Sequence, residues 1–255
     1  MQKPLILVTN DDGVMAPGIR NLVEYMLEIG KVVVVAPDRP QSGMGHAVTL
    51  EKPLRIERLS IHSSHDEYSC SGTPVDCVKI AINSVLHCKP DIVVSGINHG
   101  SNSSINVIYS GTMSATIQGA MAGVPSIGFS LLDYRYDANF GPSKKYVQAI
   151  TRKVLEYGLP RGVCLNVNIP AVPETKLKGI KICRQANGNW IEEFDHRRDP
   201  RGRDYFWLTG KFQLFENSKE TDEWALANNF VSVVPTQFDF TAHSFIPEIK
   251  EWKIE

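Results

Sequence analysis

Two uninterrupted apolar runs with one amphipathic helix between them, all within the first 37 residues, constrain the fold of this chain more than any other feature. "PLILVTN" and "KVVVVAP" show no polar alternation, which is the pattern of strands buried on both faces of a parallel sheet. Between them, "PGIRNLVEYMLEIG" places Ile19, Leu22, Val23, Tyr25, Met26 and Leu27 at helical spacing, opened by Pro17 and closed by Gly30. Strand, helix, strand in so short a stretch is the βαβ unit of a doubly wound sheet.

The pattern continues with a helix in "TPVDCVKIAINSVLHC", a buried strand in "PDIVVSG" and a small-residue helix in "GTMSATIQGAMAG". A strand "VPSIGFSL" and a helix "KKYVQAITRKVLEYG" follow, while "VTLEKPLRIERL" alternates like an exposed antiparallel strand. From "VCLNVNIP" onward "LKGIKICRQ", "DYFWLTGKFQLFE" and "NNFVSVVPTQFDF" read as strands and hairpins, with one short helix near "TDEWALAN". The expected class is α/β: a Rossmann-like, doubly wound, mostly parallel sheet with a β-rich C-terminal extension. A soft boundary falls near residue 135. Residues 1–135 make the core and 136–255 its last helix and strand plus the extension, β-rich from about 175.

At 255 residues the chain suits one large α/β domain with an appendage. Lys plus Arg is 27 and Asp plus Glu is 28, a net charge of −1 that offers no electrostatic case for a nucleic-acid duplex or an anionic membrane. No apolar stretch approaches the roughly 20 residues of a membrane span, and the start lacks a basic-then-apolar signal segment. The five cysteines are odd in number and scattered, without a C-x-x-C pair, which points to reduced thiols and a cytoplasmic location.

Ligands of open α/β sheets bind beyond the carboxyl ends of the strands. Three small, polar segments fall there: "NDDG", "QSGMG" and "SGINHGSN". Asp11 and Asp12 put like charges side by side, either to cap the next helix or to hold a cation. Ala16-Pro17 marks the helix start several residues later, which favours a hard divalent ion with oxygen ligands. An aspartyl-phosphate phosphatase of the haloacid dehalogenase type would need D-x-D after the first strand, and residue 10 is Asn.

"SGT" occurs twice. Ser71-Gly72-Thr73-Pro74 precedes Asp76 and reads as a capping box. Ser110-Gly111-Thr112 opens a helix with no acid in its first turn, and is either a plain cap or an anion site. Asn98 is a turn former or an amide-oxygen donor, and His46 and His99 are weaker candidates as proton donors or metal ligands. Trp190, Trp207, Trp224 and Trp252 suit packing or a subunit interface.

Taken together, "ILVTNDDG", "VVAPDRPQSGMGHAVTL", "SGTPVDCVKIAI", "DIVVSGINHGSN" and "YSGTMSATIQGAMAGVPSIGFS" resemble, in order and spacing, the SurE family of survival-protein nucleotidases. "TDEWALANNFVSVVPTQFDFT" is similar to that family's C-terminal segment. The resemblance implies a metal-dependent phosphomonoesterase for nucleoside 5′- and 3′-monophosphates, with one divalent ion (Mg, Mn or Co). It implies metal ligands at Asp11, Asp12, Ser42 and Asn98, and phosphate contacts at Gly43, Asn98, Ser110, Gly111 and Thr112. It also implies a homodimer or homotetramer in which the β-rich part exchanges segments. Three places depart from the family pattern: "SSINVIY" replaces a glycine-and-acid loop, Gln118 stands where Glu is frequent, and "PTQFDFT" ends the chain differently. These bear on loop shape and substrate preference.

The expected reaction is phosphate-ester hydrolysis at one divalent ion, with Asp11 as base or orienting group and the Ser110 turn cradling phosphoryl oxygens. The alternative is a non-catalytic nucleotide-binding protein on the same sheet.

Overall fold

The computed structural model describes residues 3–60, 64–191, 193–252 and 254. Leu5–Thr9 forms β1, whose side chains alternate between two buried faces: Ile6 and Val8 join one apolar cluster and Leu7 the other. The same split runs through β2 (Lys31–Pro37), with Val32 and Val34 on one side and Val33 and Val35 on the other. Both faces are covered, so polar side chains stand only at the strand ends, Thr9 in β1 and Lys31 in β2, and the stretches between are apolar. Helix α1 (Pro17–Leu27) buries Ile19, Leu22, Val23 and Met26 in the first cluster.

Beyond them lie β3 (Ile56–Leu59), β4 (Asp66–Cys70), α2 (Pro74–Ile80), β5 (Ile92–His99), α3 (Asn106–Tyr109), α4 (Gly111–Met121), β6 (Ser126–Leu131) and α5 (Lys144–Tyr157). The rest comprises β7 (Val163–Ile169), β8 (Ile180–Ile182), β9 (Gly188–Ile191), β10 (Phe194–Arg198), β11 (Asp204–Leu208), β12 (Lys211–Leu214), α6 (Asp222–Ala227), β13 (Val231–Gln237) and α7 (Ile246–Lys250). A nine-stranded sheet runs β3-β4-β2-β1-β5-β6-β7-β13-β8. All strands from β4 to β7 are parallel. Within this sheet the antiparallel pairs are β3–β4 and β13–β7. α1 and α5 pack on one face, α2 and α4 on the other.

From β1 the chain steps outward through β2 to β4, then returns to β5 on the other side of β1. β1 and β5 therefore flank the topological switch point, where a crevice opens at the strand ends. The register Thr9↔Ser95 sets the end of β1 beside Ser95, and β5 runs on past it to His99. That pairing positions the site.

The structure redraws four expected elements. The helix expected from Thr73 onward is α-helical only to Ile80 and then widens into a π-helical turn over Ala81–Val85. "VTLEKPLRIERL" pairs as a strand only over Ile56–Leu59, because its partner β4 ends at Cys70, opposite Ile56; beyond it Arg55 and Ser71 still bond each other, but the chain then turns into α2. β13 and β8, expected in the extension, join the main sheet instead, and Val231 and Val233 enter its principal core.

The extension proper is an arm. β9 pairs with β12 and β10 with β11, antiparallel and in one continuous register, bridged by Thr209 N–H to the Glu193 carbonyl at 2.6 Å. Phe194, Phe206, Trp207 and Leu208 are exposed along it. Trp190 packs edge-on against Phe212 at its base, Trp224 stacks over Phe230, and Trp252 is exposed near the C-terminus.

Candidate active site

β1 ends at Thr9, and Asn10 turns the chain by donating its Nδ2 to the Gly13 carbonyl at 2.9 Å. Gly13 has φ of 99°, a conformation that favours glycine. The N-cap of α1 is Ala16, with no side-chain hydrogen bond, so neither carboxylate caps the helix. Arg20 braces the turn by donating to the Val14 carbonyl and to the buried Glu67 carboxylate.

Asp11 is buried and accepts from the Thr112 hydroxyl. Burial first, and the Asp12 charge second, push its carboxyl up to about 7. Asp12 accepts the His99 N–H at 3.3 Å, and burial raises its pKa too. No Lys or Arg among the described residues offsets either charge. A carboxylate pair in this condition is stabilised by a cation.

Asn98 is brought beside the pair from β5 by its neighbour His99, whose N–H bonds Asp12. A register irregularity between Ser95 and Asn98, with Gly96 at φ of 125°, turns the strand end. The Asn98 Nδ2 donates to the His99 carbonyl at 3.3 Å and the Gly100 carbonyl at 2.9 Å, which leaves Oδ1 as its free acceptor. Ser42 arrives through its neighbour: the Gln41 N–H donates to the Asp11 carbonyl at 2.7 Å and pins the loop against the Asp pair. Ser42 and Gly43 are exposed, and Gly43 has φ of 73° with open space around it.

The oxygens these residues could offer a cation are two carboxylates, an amide oxygen and a hydroxyl, with neither sulfur nor imidazole. Hard divalent ions take such oxygens, and Mg²⁺ or Mn²⁺ fits. Among the described residues no cluster of three His, Cys, Asp or Glu offers a competing site.

The second "SGT" meets the pair at the start of α4. Ser110 is its N-cap, accepting the Met113 N–H at 3.0 Å, so the plain-cap reading holds for that side chain. Nor is the helix end wholly free, since the Thr112 hydroxyl donates to Asp11. A Cβ at Gly111 would lie 2.6 Å from the Asp11 Cβ, so only glycine lets α4 approach this closely. The positive end of α4 and the Asp pair share one spot.

The first "SGT" is structural, as its sequence implies. Thr73 and Asp76 form a capping box on α2. The same residues also hold the chain after Ser42, through Thr73 Oγ1 to the Ala47 carbonyl at 2.7 Å and the Thr49 N–H to Asp76 at 3.2 Å. His99 touches Asp12 through its backbone; its ring bonds the Arg135 carbonyl at 2.8 Å and meets Phe140 edge-on. His46, whose pKa burial lowers, lines a cavity of about 850 Å³ with Ile108, Ser114, Ile117 and Phe240.

One layer escaped sequence reasoning. Behind Asn98, Asn102 donates to Ser130 at 2.9 Å and receives Asn166 at 2.9 Å, while Asn168 accepts the Asn102 N–H at 2.8 Å. In sequence these asparagines look like turn or strand residues, and nothing in their spacing marks a buried network.

A family model described as "Survival protein SurE" matches residues 6–192. The 5′-nucleotidase SurE of Christiangramia forsetii is 62% identical over 255 residues, covering 99% of this chain and 98% of that one. Its counterpart in Flavobacterium psychrophilum is 58% identical, covering 100% and 99%. The crystal structure of the SurE protein from Aquifex aeolicus superposes with a TM-score of 0.85 at 38% identity, covering 98% of this chain and 100% of that one. Similarity of this extent leaves no segment of the sheet or the loops above it unmatched, and the chain belongs to the SurE family.

Proposed function

We propose that this protein is a divalent-metal-dependent nucleotidase that hydrolyses nucleoside 5′- and 3′-monophosphates to nucleoside and phosphate. The observation that carries the reading is the meeting of Asp11 with Gly111 and Thr112, which puts a cation's donors against a helix N-terminus suited to an anion. The relatives' name, 5′-nucleotidase SurE, supplies the substrate class.

Asp11, Asp12, Ser42 and Asn98 would hold one Mg²⁺, Mn²⁺ or Co²⁺ ion. When bound, the ion supplies Lewis acidity toward the phosphate ester. Gly43, Asn98, Ser110, Gly111 and Thr112 line the phosphoryl position, and the dipole of α4 favours the negative charge that grows there. Asp11 is the base or orienting group for the attacking water. The cavity beside His46 lies within the size range of small-molecule sites and has room for a nucleoside.

The exposed aromatic residues of the arm, with Phe240, Trp252 and Ile254 at the C-terminal end, support a homodimer or homotetramer built through these segments. Among the described residues no helix is long and apolar enough to cross a membrane. With five free cysteines, the chain suits the cytoplasm.

The test is phosphate release from a panel of nucleoside monophosphates, with chelator, Mg²⁺, Mn²⁺ and Co²⁺ in parallel. Release that needs the ion is expected. Metal-independent nucleotide binding with no release under any ion would favour the non-catalytic alternative.

A further inference from the structure

The loop from Asn98 to Ser110 joins a proposed cation ligand to the phosphate turn, and its midpoint is Ser104. Ser104 is fully buried with φ of 51°, a left-handed conformation that a serine holds only when its surroundings fix it. What fixes it comes from the far end of the chain. The Ser104 N–H donates to Asp222 Oδ2 at 2.9 Å, and its hydroxyl donates to the Ala186 carbonyl at 2.9 Å. Asp222, 1% exposed, also accepts the Ala186 N–H at 2.9 Å and the Glu223 N–H at 2.8 Å through Oδ1.

Two further ties run the same way. The Ser103 hydroxyl donates to the Glu223 carboxylate, and the Trp190 indole N–H donates to Asn106 Oδ1 at 2.8 Å. Ala186 and Trp190 stand at the base of the arm, and Asp222 and Glu223 in the first turn of α6. One buried carboxylate therefore fastens three segments: the site loop, the arm and α6. An N-capping role alone does not explain it, because Thr221 is the N-cap of α6 and accepts the Trp224 N–H itself.

We propose that Asp222 is a positioning residue for the cation and phosphate site, setting the Asn98–Ser110 loop through Ser104, with Trp190 as a second tether at Asn106. The inference rests on the nucleotidase reading for its kinetic consequence. Its structural consequence, the geometry of the Asn98 ligand, is read by metal affinity alone.

The experiment compares wild type, Asp222→Asn and Trp190→Phe by kcat and KM for a nucleoside monophosphate, by Mn²⁺ affinity from calorimetry, and by thermal melting. Asn at 222 keeps the volume but turns one acceptor oxygen into a donor facing an N–H. Kcat should fall about 10- to 100-fold and Mn²⁺ affinity should weaken in step, as for partners that orient metal ligands. For Trp190→Phe a several-fold fall in kcat is expected with melting within a few degrees of wild type. A merely structural role would lower the melting temperature while leaving kcat and Mn²⁺ affinity, measured well below it, within two-fold of wild type. That result overturns the proposal. Should Asp222→Asn not fold, Trp190→Phe decides: unchanged kcat and Mn²⁺ affinity overturn it. A wild type that binds Mn²⁺ but releases no phosphate refutes the nucleotidase reading instead, and the Mn²⁺ affinities still judge Asp222.

Discussion

Replacing Gly111 by alanine should disable the site while sparing the fold. In an ordinary helix the change is favourable, by about 1 kcal/mol. Here the new methyl would stand 2.6 Å from the Asp11 Cβ, 2.9 Å from Oδ2 and 3.0 Å from Cγ. Ordinary contact begins at 3.4 Å, so Asp11 must retreat by about 0.8 Å. The helix itself is held: Ser114 and Thr116 donate back to the Ser110 and Thr112 carbonyls, and a Cβ at Gly119 would already meet Ser126 and Val93. The carboxylate yields rather than the backbone, and the Thr112 hydroxyl loses its partner. A displacement of about 1 Å at a reacting centre costs on the order of 100-fold in rate, or about 2.7 kcal/mol of barrier. Steady-state phosphate release at saturating Mn²⁺, alongside a thermal melt, measures both sides of the claim. A folded Gly111→Ala protein with kcat within three-fold of wild type would show that Asp11 is not at the reacting centre.

Two more outcomes follow from the same geometry. In the metal-free protein the Asp11 carboxyl titrates at about 7, against 3.8 for the free group. Its stabilising effect is therefore full below about pH 4 and lost as pH rises through 7, a change on the order of 4 kcal/mol at 1.36 kcal/mol per pH unit. Urea unfolding in chelator should show that decline, Asp11→Asn should flatten it, and a wild-type profile as flat as the variant's would refute the burial argument. Gly18→Ala would place a methyl 1.9 Å from the Ile97 carbonyl oxygen, forcing α1 off β5 beneath Asn98. The expected loss is about 3 kcal/mol by urea unfolding, and a loss under 1 kcal/mol would mean that the two elements do not touch as described.

Much of the sheet was legible because β1, β2 and β5 are covered on both faces. Burial on both sides leaves an apolar run in each, Ile6–Val8, Val32–Ala36 and Ile92–Val94, and that pattern survives in the sequence. The strands of the extension were legible as strands but not by partner. β13 lies between β7 and β8, an insertion that its own residues do not encode. The Asp pair announced itself by adjacency and by the distance to Pro17. Its contact with Thr112 did not, since 101 residues separate them and the enabling feature is the missing side chain of Gly111. Asp222 was hidden for a related reason: an acid in the first turn of a short helix is ordinary, and only the fold reveals which N–H groups it accepts.

The most direct test of the account is a calorimetric titration of the chelator-treated protein with Mn²⁺, comparing wild type with Asp12→Ala and Asn98→Ala. One ion per chain in wild type is expected, with affinity lost in Asp12→Ala and weakened in Asn98→Ala while all three melt alike. Equal Mn²⁺ affinity in all three proteins would contradict a cation site at the ends of β1 and β5, and the proposed chemistry would fall with it.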